Sequence, residues 1–198
     1  MKVTKYMNRQ STYPILALLI SRVSSRAFSP ERLTEEELMT LFEAARWAPS
    51  AYNNQPWRFL FARRGEKDWD LFFSPLVEFN KSWCKDADTL VAVISRNNFT
   101  HNEKPSRTAS FDTGAASMSL ALEAHARNIV AHPMEGFDYD ALKSNLDIPD
   151  SYTIQAMIAI GKQGDKDTLS SDLKEKEIAS ERKLLSSIIG QGKFSFDS

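Results

Sequence analysis

Thr89-Leu90-Val91-Ala92-Val93-Ile94-Ser95 (TLVAVIS) is the stretch from which the fold is read. It is nearly unbroken apolar and of strand length, the pattern of a strand covered on both faces. Upstream, Trp57 to Ala62 (WRFLFA) reads as another strand and Trp69 to Phe73 (WDLFF) as a third. The polar, glycine-containing Arg63 to Asp68 between them predicts a hairpin of unspecified turn type. Further back, Thr34 begins a T-x-x-E capping box with Glu37. Leu38, Leu41, Phe42 and Ala45 follow at i, i+3, i+4 and i+7, so a helix runs to about Trp47, where Pro49 disfavours its continuation.

Downstream of the decisive strand, the Ala- and Leu-rich segment after Asp112 (TGAASMSLALEAHARN) predicts a buried helix. It ends at Asn128, a residue that tolerates the left-handed conformation of a helix end. A shorter amphipathic helix spans about Tyr139 to Leu146, and Thr153 to Ile160 (TIQAMIAI) is a last strand stopped by Gly161. Tyr13 to Ile20 (YPILALLI) is too short for a membrane span, which needs ~20 apolar residues, and reads as the first core helix. Helices and strands mixed without regular alternation point to an α+β domain.

The chain has 198 residues with 42% hydrophobic and 26% charged positions, which excludes wholesale disorder and fits one domain, residues 1–198. From about 165 to 198 the composition turns to Asp, Lys, Glu and Ser. That C-terminal extension is expected to be a mobile loop, or an arm that orders on the body or on a partner subunit. A formal charge of −1 removes the global basic excess of nucleic-acid binders. A single cysteine, Cys84, cannot form an internal disulfide or a cysteine-cluster metal site, and it suits a reducing, cytoplasmic compartment. The expectations are therefore no nucleic acid, no membrane and no metal.

Four clusters carry candidate chemistry. Arg22-Val23-Ser24-Ser25-Arg26 offers two guanidiniums and two hydroxyls within five residues, a set suited to phosphate, though on local grounds alone the favoured reading is a solvated helix end with arginines near the negative pole of the helix dipole. Ala48 to Trp57 (APSAYNNQPW) brings carboxamides and small residues that match the donor–acceptor edge of a heteroaromatic ring, or that serve as a polar connector. His132 to Asp138 (HPMEGFD) suits a turn aiming backbone N–H groups at a ligand, or an ordinary helix entry. Ser180-Glu181-Arg182-Lys183 precedes the terminal apolar cluster; such a charge run is usually a solvated face, but with the first motif it would make sense if both converged on one phosphate.

In order and spacing, RVSSRAF, APSAYNNQPW, Asn80 within EFNKSW, PMEGFD and SERKLLSSIIGQGKF resemble the nitroreductase family of FMN-dependent oxidoreductases, from about Ile20 to Phe194. The resemblance implies a nitroreductase-like fold: a central, mostly antiparallel sheet flanked by helices, in an intertwined homodimer with a C-terminal arm and FMN at the subunit interface. By the same resemblance Arg22 and Ser24 face the phosphate and ribityl chain, Val23 contributes backbone, and Arg26 faces the pyrimidine edge. Pro49, Ser50, Ala51 and Asn53 form the partner's loop, and Asn80 touches the ring system. Pro133, Met134, Glu135 and Gly136 line one face, while Ser180 and Arg182 close on the phosphate.

Three positions depart from the family pattern: Trp83 stands where a second lysine is usual, Asn128 replaces a glycine and Leu184 a proline. The activity implied is hydride transfer from NAD(P)H through flavin N5 to a nitroaromatic, quinone or related small-molecule acceptor in a ping-pong cycle. The flavin carries that chemistry, so no catalytic side chain is expected. The alternatives are a specialised flavin reductase of the same fold and a non-enzymatic flavin-binding or stress-regulatory protein.

Overall fold

The computed structural model describes residues 9–196, in two compact units. The larger unit, Ser24–Glu177, is built on a four-stranded antiparallel sheet among the described residues, in the order β1-β2-β4-β3. Its strands are β1 (Trp57–Arg63), β2 (Thr89–Arg96), β3 (Ile129–Met134) and β4 (Tyr152–Lys162). The expected α+β architecture is thus present.

β2 is the central element, and seven of its eight residues are buried. Its alternate side chains enter two cores. Leu90, Ala92 and Ile94 join Met157 and Ala159 of β4 beneath α3 (Trp69–Phe73), α4 (Glu78–Cys84) and α6 (Tyr139–Asn145). Val91 and Val93 join Ile158 and Ile160 beneath α2 (Glu35–Arg46) and α5 (Ala109–Ala126). This period-2 division between two covered faces is why the strand reads as continuously apolar.

Several local expectations hold. The capping box at Thr34 is closed in both directions, and α2 ends at Trp47. Asn128 has φ 58°, in the left-handed region, just beyond α5. Four readings need correction. Trp69–Phe73 is helix α3, and no hairpin forms; Trp69, Phe72 and Phe73 share one helical face on the core while Asp70 and Leu71 are exposed. Helical spacing overrides the aromatic preference for strands there.

β4 continues through Gly161, which pairs with Val130, instead of stopping before it. His132, Pro133 and Met134 lie in edge strand β3 and not in a turn; the missing proline N–H is tolerable because the strand is an edge. The turn comes later, where the Phe137 N–H donates to the Glu135 carbonyl at 2.8 Å.

The fourth correction concerns the smaller unit, residues 1–23 with 178–198. Its helix α1 (Ala17–Ser21) has five residues and is not a core helix: Leu16 is 72% exposed and Leu19 42%. The extension is also split. Leu173 of α7 (Ser171–Glu175) and Glu177 are buried in the larger unit, whereas Leu184, Ile188 and Phe194 are exposed. No described helix is long and apolar enough to cross a membrane.

One ion pair joins α2 to β4. Glu37 accepts the Thr34 N–H at 2.8 Å and also the Lys162 ammonium. The Lys162 hydrogen bond first, then the Thr34 N–H, hold the Glu37 carboxyl below its ordinary value. A depressed folded value contributes stability above the unfolded carboxylate range, about 4.3, and loses it as pH falls through the lowered value. Glu37→Gln should therefore be less stable than wild type at neutral pH, with the gap closing under acid. Urea midpoints measured against pH test this; a gap independent of pH would refute it.

Candidate functional site

In the larger unit, the chain at Ala27–Ser29 runs beside the end of β4. Ser29 N–H donates to the Lys162 carbonyl at 2.9 Å and Gly164 N–H to the Ala27 carbonyl at 2.8 Å. A Cβ at Gly164 would stand 2.4 Å from the Phe28 backbone, so only glycine allows the approach. This seating fixes Ser25 and Arg26. His132 Nδ1 lies 3.0 Å from the Ser25 carbonyl, and the His132 ring centroid is 4.5 Å from that of Trp83. The Arg26 guanidinium is 5.9 Å from the Trp83 ring centroid and 6.0 Å from that of Phe79.

Asn80, on α4, is buried and donates its amide to the Gly136 carbonyl at 2.9 Å. A side chain at 136 would collide with it, since a Cβ there would be 2.7 Å from Asn80 Nδ2. The structure thus brings together Asn80 and Gly136, and through α4 and β3 links them to Arg26, Pro133 and Met134. Glu135 is exposed beside them, and Ser24 precedes Ser25 in the same extended segment. Two buried donors, Arg26 Nε and Trp83 Nε1, have no hydrogen-bond partner among the described residues. Orphan donors of this kind are costly and point to a ligand or a strain reservoir. Cys84 Sγ lies 3.6 Å from Met134 Sδ, and burial raises its thiol pKa, so it is a packing group and not a nucleophile.

Pro49, Ser50, Ala51 and Asn53 stand on a separate loop of the same unit. Tyr52, Asn53 and Gln55 have φ of 52°, 52° and 47°, conformations that cost energy for residues with side chains. The loop is held by Asp112, a buried carboxylate in the first turn of α5, which accepts Ala51 N–H and Thr108 Oγ1 at 3.1 Å each. Below it, Asn54 Oδ1 accepts the Thr100 N–H at 2.9 Å. Asp112 was not legible as a site residue. Its only signal is a carboxylate opening an alanine-rich helix.

The smaller unit, taken by itself, holds Arg22, Val23, Ser180 and Arg182. Arg182 donates to Ser180 Oγ at 2.9 Å, and burial first, then the Arg182 and Arg9 charges, lower the Arg22 pKa. Arg22 from the first motif and Ser180 with Arg182 from the last therefore stand in one cluster. Arg9 completes it: Nε donates to the Ser180 carbonyl at 2.8 Å, Nη2 to Ser180 Oγ at 3.2 Å and Nη1 to the Arg22 carbonyl at 2.9 Å. A lone arginine in a polar N-terminal stretch gives the sequence reader no warning of this role. Two guanidiniums on one serine, with a third close enough for its charge to be felt, favour an anion.

Comparison with known proteins gives a consistent picture. The profile of the nitroreductase family matches residues 19–75 and 71–162. A solved structure described as an oxidoreductase containing FMN superposes with a TM-score of 0.92 at 44% identity, covering 98% of this chain and 100% of its own. Protein DrgA of Synechocystis sp. is 30% identical over 73% of this chain and 82% of its own length. The major NAD(P)H-flavin oxidoreductase of Aliivibrio fischeri is 25% identical over 46% of this chain and 44% of its own.

Proposed function

Because the chain belongs to the nitroreductase family, we propose that it is an NAD(P)H-dependent FMN oxidoreductase whose cofactor phosphate is taken by Arg22, Ser180 and Arg182. The observation that carries the reading is the meeting of those residues, over 150 positions apart in sequence, in one arginine cluster. The residues of the larger unit fit the ring system. Arg26 and Trp83 offer donors that no described residue uses, and Asn80 is fixed on the Gly136 backbone, which lets it approach because it carries no Cβ.

When bound, FMN supplies the two-electron chemistry between NAD(P)H and a nitroaromatic, quinone or related acceptor. The protein's residues bind and orient. Arg26 would hold the ring system and supply positive charge to it, and Ser24 with the Val23 backbone would hold the ribityl chain. Pro133, Met134, Glu135 and Gly136 would line the pocket for the ring system, and a ping-pong order would follow if donor and acceptor shared it. We assign proton transfer to no side chain.

The chain is further proposed to act in the cytoplasm as a homodimer, with Pro49, Ser50, Ala51 and Asn53 contributed across the interface. The apolar side chains Leu16, Leu184, Ile188, Ile189 and Phe194 support this, because exposed apolar surface of that extent calls for cover. The test is the visible spectrum of the purified protein, followed by NAD(P)H oxidation with and without a quinone or nitroarene. We expect a yellow protein and acceptor-dependent oxidation. A colourless preparation that takes up no added FMN would end the proposal.

A further inference from the structure

The carboxylate of Glu177 lies under Arg26 and is assigned no part in the reading above. Only 2% of its side chain is exposed, against 21% for Arg26. Oε1 accepts the Arg26 N–H at 2.9 Å and the Ser25 hydroxyl, while Oε2 accepts the same N–H at 3.2 Å and faces Arg26 Nη1 at 3.9 Å. Gln163 braces the arrangement by donating to Ser25 Oγ at 2.9 Å.

A carboxylate this buried persists where fixed donors and a cation compensate it. Here the fixed donors are the Ser25 hydroxyl and the Arg26 backbone. The guanidinium is held at the edge of ion-pair distance, leaving Nε without a partner among the described residues. Glu177 thus does two things at once: it fixes the backbone from which Arg26 projects, and it cancels part of the Arg26 charge.

We propose that Glu177 is a positioning residue for Arg26, and that the buried Glu177–Arg26 pair, rather than Arg26 alone, sets the reduction potential of bound FMN. This rests on the flavin reading. Lys176, whose ammonium lies 5.0 Å from the Phe79 ring centroid, is a further charge on the ring that Arg26 also faces. It is exposed and therefore screened.

The experiment is spectroelectrochemical titration of the holoprotein, with cofactor content measured on the same samples. Glu177→Gln keeps an acceptor for the Arg26 N–H but removes the negative charge. It should favour the reduced over the oxidised cofactor by at least tenfold, a rise of about 30 mV for a two-electron couple. In the Arg26→Ala background the same substitution should shift the potential by less than half as much.

Glu177→Asp, which withdraws the carboxylate by one methylene, should give a smaller rise and serves if the glutamine variant does not fold. A wild-type potential in a fully loaded variant would overturn the proposal while leaving the flavin reading intact. An equal shift with and without Arg26 would overturn the positioning role. Failure of the wild-type chain to hold FMN would instead count against the flavin reading itself.

Discussion

Asp88→Ala should cost about 3–5 kcal/mol of folding stability, the cost of taking the buried partner out of a buried ion pair. Asp88 is fully buried immediately before β2, and its backbone N–H donates to the Ile160 carbonyl of β4 at 2.9 Å. Its carboxylate faces Arg32 Nε at 2.8 Å and Arg63 Nη2 at 3.2 Å, and accepts the Thr89 hydroxyl at 2.8 Å. The two arginines are not equivalent. The Arg63 side chain is 14% exposed and its Nε is buried with no hydrogen-bond partner among the described residues, whereas Arg32 is 45% exposed.

Removing Asp88 therefore leaves the largely buried Arg63 with only the Leu33 carbonyl and the exposed Glu35 carboxylate at 3.7 Å, while Arg32→Ala removes a largely solvated partner and should cost about 1 kcal/mol or less. At roughly 2–4 °C per kcal/mol for a chain of this size, the Asp88 variant should melt roughly 6–20 °C lower. Urea unfolding of samples with matched cofactor content measures the difference. A loss of under about 1 kcal/mol for Asp88→Ala would show that the network contributes little beyond solvation.

The fold was legible where one physical signal stood without a competitor. β2 declared itself because both its faces are covered, and the Thr34 capping box because its two partners lie three residues apart in the chain. The misreadings occurred where a long-range contact decided the outcome. Trp69–Phe73 has strand composition but docks as a helix on the core. Gly161 reads as a stop, yet it is the position where Phe28 leaves no room for a Cβ: Phe28 Cδ1 would be 2.8 Å away.

The candidate site divides in the same way. Arg22, Arg26, Asn80, Gly136, Ser180 and Arg182 carried a recognisable pattern of residue types. Arg9, Asp112 and Glu177 did not, because each acts by holding a residue far off in sequence, Ser180, Ala51 and Arg26 respectively. Nothing in the local sequence of a supporting residue encodes the distant backbone group it will meet.

Arg22→Ala and Arg182→Ala should each weaken FMN retention by roughly tenfold to a hundredfold. A hydrogen bond to a charged group contributes about 1.5–3 kcal/mol, and each 1.4 kcal/mol is about tenfold in affinity. The clustering of Arg9, Arg22 and Arg182 raises a sharper expectation. Without an anion these cations repel one another, which is why Arg182 and Arg9 lower the Arg22 pKa. Removing either of Arg22 or Arg182 relieves part of that repulsion, so the double variant should lose less than the sum of the two single losses, with a coupling of about 0.5–3 kcal/mol.

Salt gives a second, independent reading. Added salt screens the attraction of the cluster for a phosphate, and should weaken retention more in wild type than in either variant. Arg127→Ala, at an exposed i,i+4 pair with Glu123, is the control and should retain FMN as wild type does. Flavin content after desalting, titrated against salt, decides among these. Strictly additive losses would mean that the two guanidiniums act on separate groups of the cofactor. Unchanged retention in both single variants would remove the phosphate from this cluster altogether.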